Sequence, residues 1–296
     1  MSEYHPFKSA ETKERWIRHI HDLEKTTWPV DSDSVYVDTS FGKTFVRICG
    51  PESAPPLVLL HGMGANSLMW AGSIKPFSDK YRAYAVDAVD DFGLSVNTKL
   101  LKDADDYSQW LDALFTGLGL DNNINLMGLS YGGWQAGQYA LRHQEKLNKV
   151  VLLSPAGTVL PIKKVFYLRG ALTMLPFKFC RGNLLSWALE DLKKQDEELF
   201  EKTVLYQNEM AMECFKSPQA RTWPSVLSDH EWQSLKVPVL FLTGANEKIY
   251  SPRKAMERLE RVAPSIKKKL IPGGGHDLFA VKMEIVNSHI LEFLEN

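Results

Sequence analysis

The stretch NLMGLSYGGWQ, residues 125–135, decides how the rest of the chain is read. Its first half is apolar, as a strand buried on both faces is, and its second half is glycine-rich, as the start of a closely packed helix is. Ser130 sits at the join, with Gly128 two places before it and Gly132 two places after. A serine on so tight a strand-to-helix turn takes strained backbone angles and lifts its hydroxyl above the sheet. Side chains at 128 or 132 would collide with the neighbouring strand or helix, so both positions must be small. Gly133, Ala136 and Gly137 let the helix continue close to the sheet. The helix N-terminus points its amides at the hydroxyl and favours negative charge there. A G-x-S-x-G run in an ordinary turn means little; it carries chemistry only in this setting and with partners.

Outward from the turn, the chain alternates strands and helices. LVLL (57–60) is a continuous apolar run, and YRAYAVDA, NINLMG, NKVVLLSP, VPVLFLTG and IKKKLIP read as further strands. Helical segments lie between them: DYSQWLDALFTGLGL, GGWQAGQYALRHQ, PRKAMERLERVA and, at the end, VKMEIVNSHILEFLE. Such alternation predicts an α/β fold with a mainly parallel central sheet flanked by helices. Before it come a surface helix over 9–26 and a hairpin made of VYVDTS and TFVRIC. Residues 158–233 lack strand-like runs and hold amphipathic helical segments. The organisation expected is an N-terminal helical extension (1–30), a core (31–157 and 234–296) and a helical lid inserted at 158–233.

A serine hydroxyl attacks only when a base removes its proton. The base should be a histidine on a loop after a late strand. Of the eight histidines, His276 in IPGGGHDLF meets this, with glycines that let it reach over the sheet. His5, His19 and His21 precede the core, His143 and His289 fall on helices, and His230 lies in the insertion. The histidine needs a carboxylate to hold its tautomer. VPVLFLTGANEKIYSP offers Glu247, whereas SPAGT, after the preceding strand, has no acid. Asp277 adjoins His276, but neighbouring loop side chains seldom converge. The chain order Ser130, Glu247, His276 fits this topology. In LVLLHGMGANS the Met63 amide, with that of Tyr131, is placed to bind an oxyanion. His61 reads as a turn-stabilising residue and Ser67 as a cap for the helix that follows.

Composition sets the remaining bounds. The 296 residues are 44% hydrophobic and 24% charged with net charge −1, enough for one large core and giving no reason to expect nucleic acid or an anionic membrane as partner. Lys267, Lys268 and Lys269 suit an exposed edge strand. Cys49, Cys180 and Cys214, an odd number without paired spacing, fit a reducing compartment. MSEYHPFKSAETKERW has no basic region followed by an apolar core, and no apolar run is long enough to span a bilayer. The expectation is a cytoplasmic protein without membrane insertion. Neither a phosphate loop, a dinucleotide fingerprint nor a metal cluster is present in the pattern, so no cofactor and no metal is expected.

Together the serine turn, the late histidine, the acid and the LVLLHG turn resemble the α/β-hydrolase superfamily from about Val35 onward. The segments WPV, GPESAPPLVLLHG, YRAYAVD, GLSYGG, LSPAGTVLP and NEKIYSP look more closely like the bacterial carboxylesterase NP group. That resemblance implies a serine esterase acting on carboxylic esters, with a glutamate, Glu247, where much of the superfamily has aspartate. One departure is that the loop after AVDAVDDFGLS lacks the proline usual in its superfamily counterpart. The insertion carries Phe166, Tyr167, Phe177, Phe179, Trp187, Phe200, Tyr206, Phe215, Trp223, Trp232, Met174, Met210 and Met212. Some of these belong to a small core and others roof an apolar pocket, for which Phe166, Trp187 and Met210 are candidates. Trp70 faces either core or pocket and joins them. Small to medium uncharged esters are then the favoured substrates. The alternatives are a same-triad C–C bond hydrolase or perhydrolase, and a non-catalytic ligand receptor on the same fold.

Overall fold

The computed structural model describes residues 5–173, 180, 182–216 and 222–296; Met174, Phe177 and Phe179 lie outside them. The strands are β1 (Asp33–Thr39), β2 (Gly42–Cys49), β3 (Pro56–Leu60), β4 (Arg82–Val86), β5 (Val96–Asn97), β6 (Ile124–Leu129), β7 (Leu147–Leu153), β8 (Val239–Gly244) and β9 (Lys267–Ile271). They form one sheet in the order β1-β2-β4-β3-β6-β7-β8-β9, with the short β5 paired to β2. From β4 through β9 every neighbouring pair is parallel, while β1, β2 and β5 add antiparallel pairs. The continuous apolar runs are explained by position: β6 and β8 are buried at every residue, and β3 at all but its first.

The helices before β8 are α1 (Ala10–Thr27), α2 (Ala71–Ser78), α3 (Ala104–Gly117), α4 (Tyr131–His143), α5 (Lys164–Thr173), α6 (Asn183–Ala188), α7 (Glu190–Gln195), α8 (Glu197–Leu199), α9 (Tyr206–Cys214) and α10 (Asp229–Ser234). After β8 come α11 (Pro252–Val262), α12 (Leu278–Val281) and α13 (Met283–Glu295). The closing helix expected from Val281 is α13, and a break at Lys282, with φ −127°, sets it off from the short α12, which was not expected. The short β5 carries no hydrophobic pattern and was not expected. Helices α5 to α10 lie within the chain between β7 and β8, where the helical insertion was expected.

Two large apolar clusters fill the layers. One holds Trp110, Trp134, Tyr107 and Tyr139 with alternate strand residues such as Val58, Leu126 and Val150. The other holds Phe77, Ile290 and Phe293 with the intervening Leu57, Met127 and Val151. Successive strand side chains point to opposite faces, so each strand feeds both.

The N-terminal helix is tied in by a third cluster and a buried charge. Ser9 and Thr12 form a capping box, which starts α1 at Ala10. Trp16 and Ile20 then pack with Phe7 and with Ala211, Cys214 and Phe215 around α9. Arg47 on β2 has no exposed surface. Its guanidinium donates to Glu24 of α1 at 2.8 and 3.2 Å and to the Ser67 hydroxyl, and lies 4.0 Å from Asp87. Asp87 in turn accepts from the amides of Ser67 and Leu94, each at 2.7 Å. Ser67 is therefore not the expected helix cap. Its hydroxyl is committed to Arg47, and Asn66 caps instead by accepting from the Leu68 amide. Arg47→Met leaves the Asp87 carboxylate buried without its cation. We expect a loss of about 3–5 kcal/mol in urea unfolding, with little change if Glu24, on the partly open side, is replaced by glutamine.

Candidate active site

The serine turn is built as its glycines require. Ser130 has φ 52° and ψ −110°, a conformation that L side chains rarely adopt. Three backbone bonds hold it there: its N–H donates to Leu153 O at 2.9 Å, and its carbonyl accepts from Ala156 at 3.0 Å and Trp134 at 3.1 Å. Strain of this kind costs on the order of 1–3 kcal/mol and persists only when neighbours over-determine it. A Cβ at Gly128 would run into the Gly132 carbonyl, and one at Gly132 into the Leu60 carbonyl. Close approach is less demanding at Gly137, where a Cβ would meet Thr158 at 3.4 Å.

Two distant loops bring partners to the hydroxyl. His276 Nε2 lies 2.9 Å from Ser130 Oγ, and its Nδ1 lies 2.8 Å from Glu247 Oε2. The other Glu247 oxygen accepts from the Ile249 amide at 2.8 Å, so the carboxylate is fixed at both ends. The acid loop is laced to the histidine loop through Asn246 N–H to Gly274 O at 2.8 Å. All three side chains are buried. Burial alone would push the His276 pKa down. The Glu247 charge and hydrogen bond, with the Asp277 charge, together outweigh it and leave the imidazole above its ordinary value. Below the acid, Tyr250 is also buried and shares a 2.8 Å hydrogen bond with Thr243. Burial and the Glu247 charge push that phenol well above its ordinary value, so it stays neutral.

The turn after β3 runs alongside the serine. A Cβ on Gly62 would lie 3.6 Å from Ser130 Cβ, in ordinary contact. Met63 follows, partly buried against the first core cluster. Tyr131 is the first residue of α4, where helix amides point out of the N-terminus. Its hydroxyl is held between Tyr107 Oη at 2.9 Å and the Thr222 carbonyl at 2.7 Å. His61 has the turn-stabilising role expected of it. Its Nδ1 lies 2.8 Å from Gly62 O and its Nε2 accepts from the Ala88 amide at 2.9 Å, which requires a neutral ring protonated at Nδ1.

Sequence reasoning missed Asp91. Its carboxylate accepts from the Gly64 amide at 3.0 and 3.1 Å and pins the turn that holds Met63. A signal was available: the acid-rich run DAVDDFG follows β4, the parallel neighbour of β3.

The pocket candidates separate. Trp70 is a core residue: it is 1% exposed and packs with Ile74 and Phe77, its ring 6.4 Å from Phe279. Met210 is partly buried against the cluster around α1, with Phe7, Trp16 and Phe215. Trp70, for which core and pocket were both open, thus falls in the core, and Met210 packs beside α1. Phe166 and Trp187 are partly buried against the first core cluster, and the Arg169 guanidinium lies 5.4 Å from the Trp187 ring.

Residues 55–282 match the family model described as alpha/beta hydrolase fold. The chain belongs to the α/β-hydrolase family. Within this family it is 34% identical over 294 residues to an uncharacterised carboxylesterase, Nap, of Bacillus subtilis, covering 98% of this chain and 96% of that one. It is 31% identical over 290 residues to carboxylesterase YbfK of the same organism, covering 97% and 96%. Among solved structures, the naproxen esterase (carboxylesterase NP) of Bacillus subtilis superposes with a TM-score of 0.87 at 32% identity, covering 97% of this hydrolase and 99% of its own chain. The resemblance inferred from GLSYGG and NEKIYSP is thus shown across nearly the whole length.

Proposed function

We infer that Ser130, His276 and Glu247 are the nucleophile, general base and orienting acid of this carboxylic ester hydrolase. The observation that carries the assignment is the unbroken chain from Glu247 through His276 to Ser130, with links of 2.8 and 2.9 Å between residues far apart in sequence. With Glu247 accepting from Nδ1–H, Nε2 is left with its lone pair toward the hydroxyl, the tautomer a base needs.

In the first half-reaction Ser130 Oγ attacks the ester carbonyl carbon as its proton passes to His276 Nε2. Negative charge develops on the carbonyl oxygen, for which we assign the Met63 and Tyr131 amides as donors. Collapse expels the alcohol, which takes the proton from His276, and leaves the acyl group on Ser130. Water then attacks with His276 again as base, releasing the carboxylic acid and restoring the serine. Glu247 stays ionised throughout and stabilises the imidazolium formed in each half.

The substrates proposed are small to medium apolar esters, with Phe166 and Trp187 of the helical insertion lining their site. In this reading residues 158–233 are a lid over the core and residues 1–30 an extension docked on it. The relative named as a naproxen esterase supports an apolar acyl group. Cys49, Cys180 and Cys214 are free and buried, which supports a reducing compartment such as the cytoplasm. Among the described residues no helix is long and apolar enough to cross a membrane.

A fluorophosphonate probe followed by peptide mapping tests the assignment, alongside turnover of nitrophenyl esters of increasing acyl length. The expected outcome is one adduct, on Ser130, and hydrolysis that is best for apolar acyl groups. A folded chain that binds such esters without labelling at Ser130 would instead be a ligand receptor.

A further inference from the structure

The two amides assigned to the oxyanion lie beyond the reach of the sheet. The β3–β6 register ends at Leu60 and Gly128, and Met63 and Tyr131 each follow in turns past that point. The backbone ties of Ser130 run the other way, to Leu153 of β7 and to Ala156 after it. Something else must set the distance between the two turns.

One loop after β4, residues 88–92, touches both. Toward Met63, the Ala88 amide donates to His61 at 2.9 Å, and Asp91 accepts from the Gly64 amide at 3.0 and 3.1 Å. The Asn66 side chain closes the same side by donating to Phe92 O at 3.1 Å. Asp91 also accepts from the Phe92 amide at 2.9 Å, which fixes its own turn. Toward Tyr131, Asp90 accepts from the Tyr107 hydroxyl, and Tyr107 Oη lies 2.9 Å from Tyr131 Oη. Tyr107 has no exposed surface, and its ring stands edge-on to Tyr131 and Trp134 at 5.8 and 5.3 Å, so its hydroxyl is held in one direction. Burial, then the Asp90 charge, keep that phenol well above its ordinary pKa, so it remains a donor.

We propose that loop 88–92 braces the oxyanion site: Asp91 through Gly64, and Asp90 through Tyr107 and Tyr131, set the spacing of the two amides that receive the developing charge. Asp91 and Tyr107 are thus positioning residues. Donors serve an oxyanion only when placed for the charged oxygen, so a displaced amide weakens the transition state more than the bound ester. The proposal rests on the assignment of Ser130 as nucleophile and of Met63 and Tyr131 as donors.

The experiment pairs a nitrophenyl ester with an aryl trifluoromethyl ketone. Ser130 Oγ adds to the ketone carbon while its proton passes to His276, and the carbonyl π pair moves onto oxygen. No group leaves, so the oxyanion stays in the site and the inhibition constant reports on its donors. Asp91→Ala is expected to lower kcat about thirtyfold and Tyr107→Phe about tenfold, each with KM within about threefold of wild type. The ketone should bind each variant more weakly by the factor that kcat/KM has lost. Phenylalanine removes one oxygen and keeps the ring packing, so Tyr107→Phe decides alone should Asp91→Ala fail to fold by circular dichroism. Lost turnover with unchanged ketone affinity would overturn the proposal, as would a loss confined to KM. So would variants within about twofold of wild type in both measurements. Fluorophosphonate labelling of the wild type separates the two levels. An unlabelled Ser130 would overturn the catalytic assignment itself, whereas a labelled Ser130 with ketone affinity unmoved in the variants would overturn the brace alone.

Discussion

Ser130→Ala is expected to lower kcat/KM for a nitrophenyl ester by about 10⁵-fold, on the order of 7 kcal/mol of transition-state stabilisation. The substitution removes only Oγ and its hydrogen bond to His276. Every backbone tie that holds the turn, to Leu153, Ala156 and Trp134, remains. Alanine tolerates the strained angles no better than serine but no worse, so the unfolding midpoint in urea should move little. Residual hydrolysis should stay above that of water, because the backbone donors proposed for the oxyanion do not depend on the side chain. An alanine variant that retained a tenth of wild-type turnover, with its fold intact by circular dichroism, would rule out acyl transfer to this serine.

The second large effect concerns Glu247. Replacing it with glutamine keeps shape and volume but puts an N–H donor where His276 Nδ1 meets an acceptor at 2.8 Å. The ring is then driven toward the tautomer with hydrogen on Nε2, which cannot take the serine proton. We expect kcat to fall on the order of 10³–10⁴-fold. The pH profile supplies an independent signature. In wild type the base must be neutral, so kcat/KM should fall on the acid side with a midpoint above the ordinary histidine value, since Glu247 outweighs burial. Removing the negative charge leaves burial as the main influence, so the residual activity of Glu247→Gln should have its acid limb at lower pH. Stability moves the opposite way to activity. A raised pKa stabilises the fold fully below the unfolded histidine value, and this contribution is lost as pH rises through the folded value. Wild type should therefore give up that stabilisation over the pH range in which it becomes active, and Glu247→Gln should not.

Much of this was legible before any coordinates. Local chemistry marks Ser130, because only glycine fits at 128 and 132 when carbonyls approach so closely. Glu247 and His276 were found by their place after particular strands, which a parallel sheet converts into proximity. What escaped was contact between loops. Asp91 bonds to Gly64, and Asp277 bonds to Leu192 across the insertion; neither pairing has a period or spacing to betray it. Trp70 and Met210 show the complementary limit. A large apolar side chain packs equally well into a core or around a ligand, and only the surrounding elements decide which.

The sheet ends at β9, where Lys267 and Lys269 are exposed while Lys268 is largely covered and pairs with Glu260 at 3.0 Å. An unprotected terminal strand invites another copy to zip onto it and so seeds fibres. Here two copies meeting edge to edge would bring the Lys267 and Lys269 ammonium groups together, and their repulsion opposes the pairing of backbones. Two side chains thus guard the terminal strand against pairing with another copy.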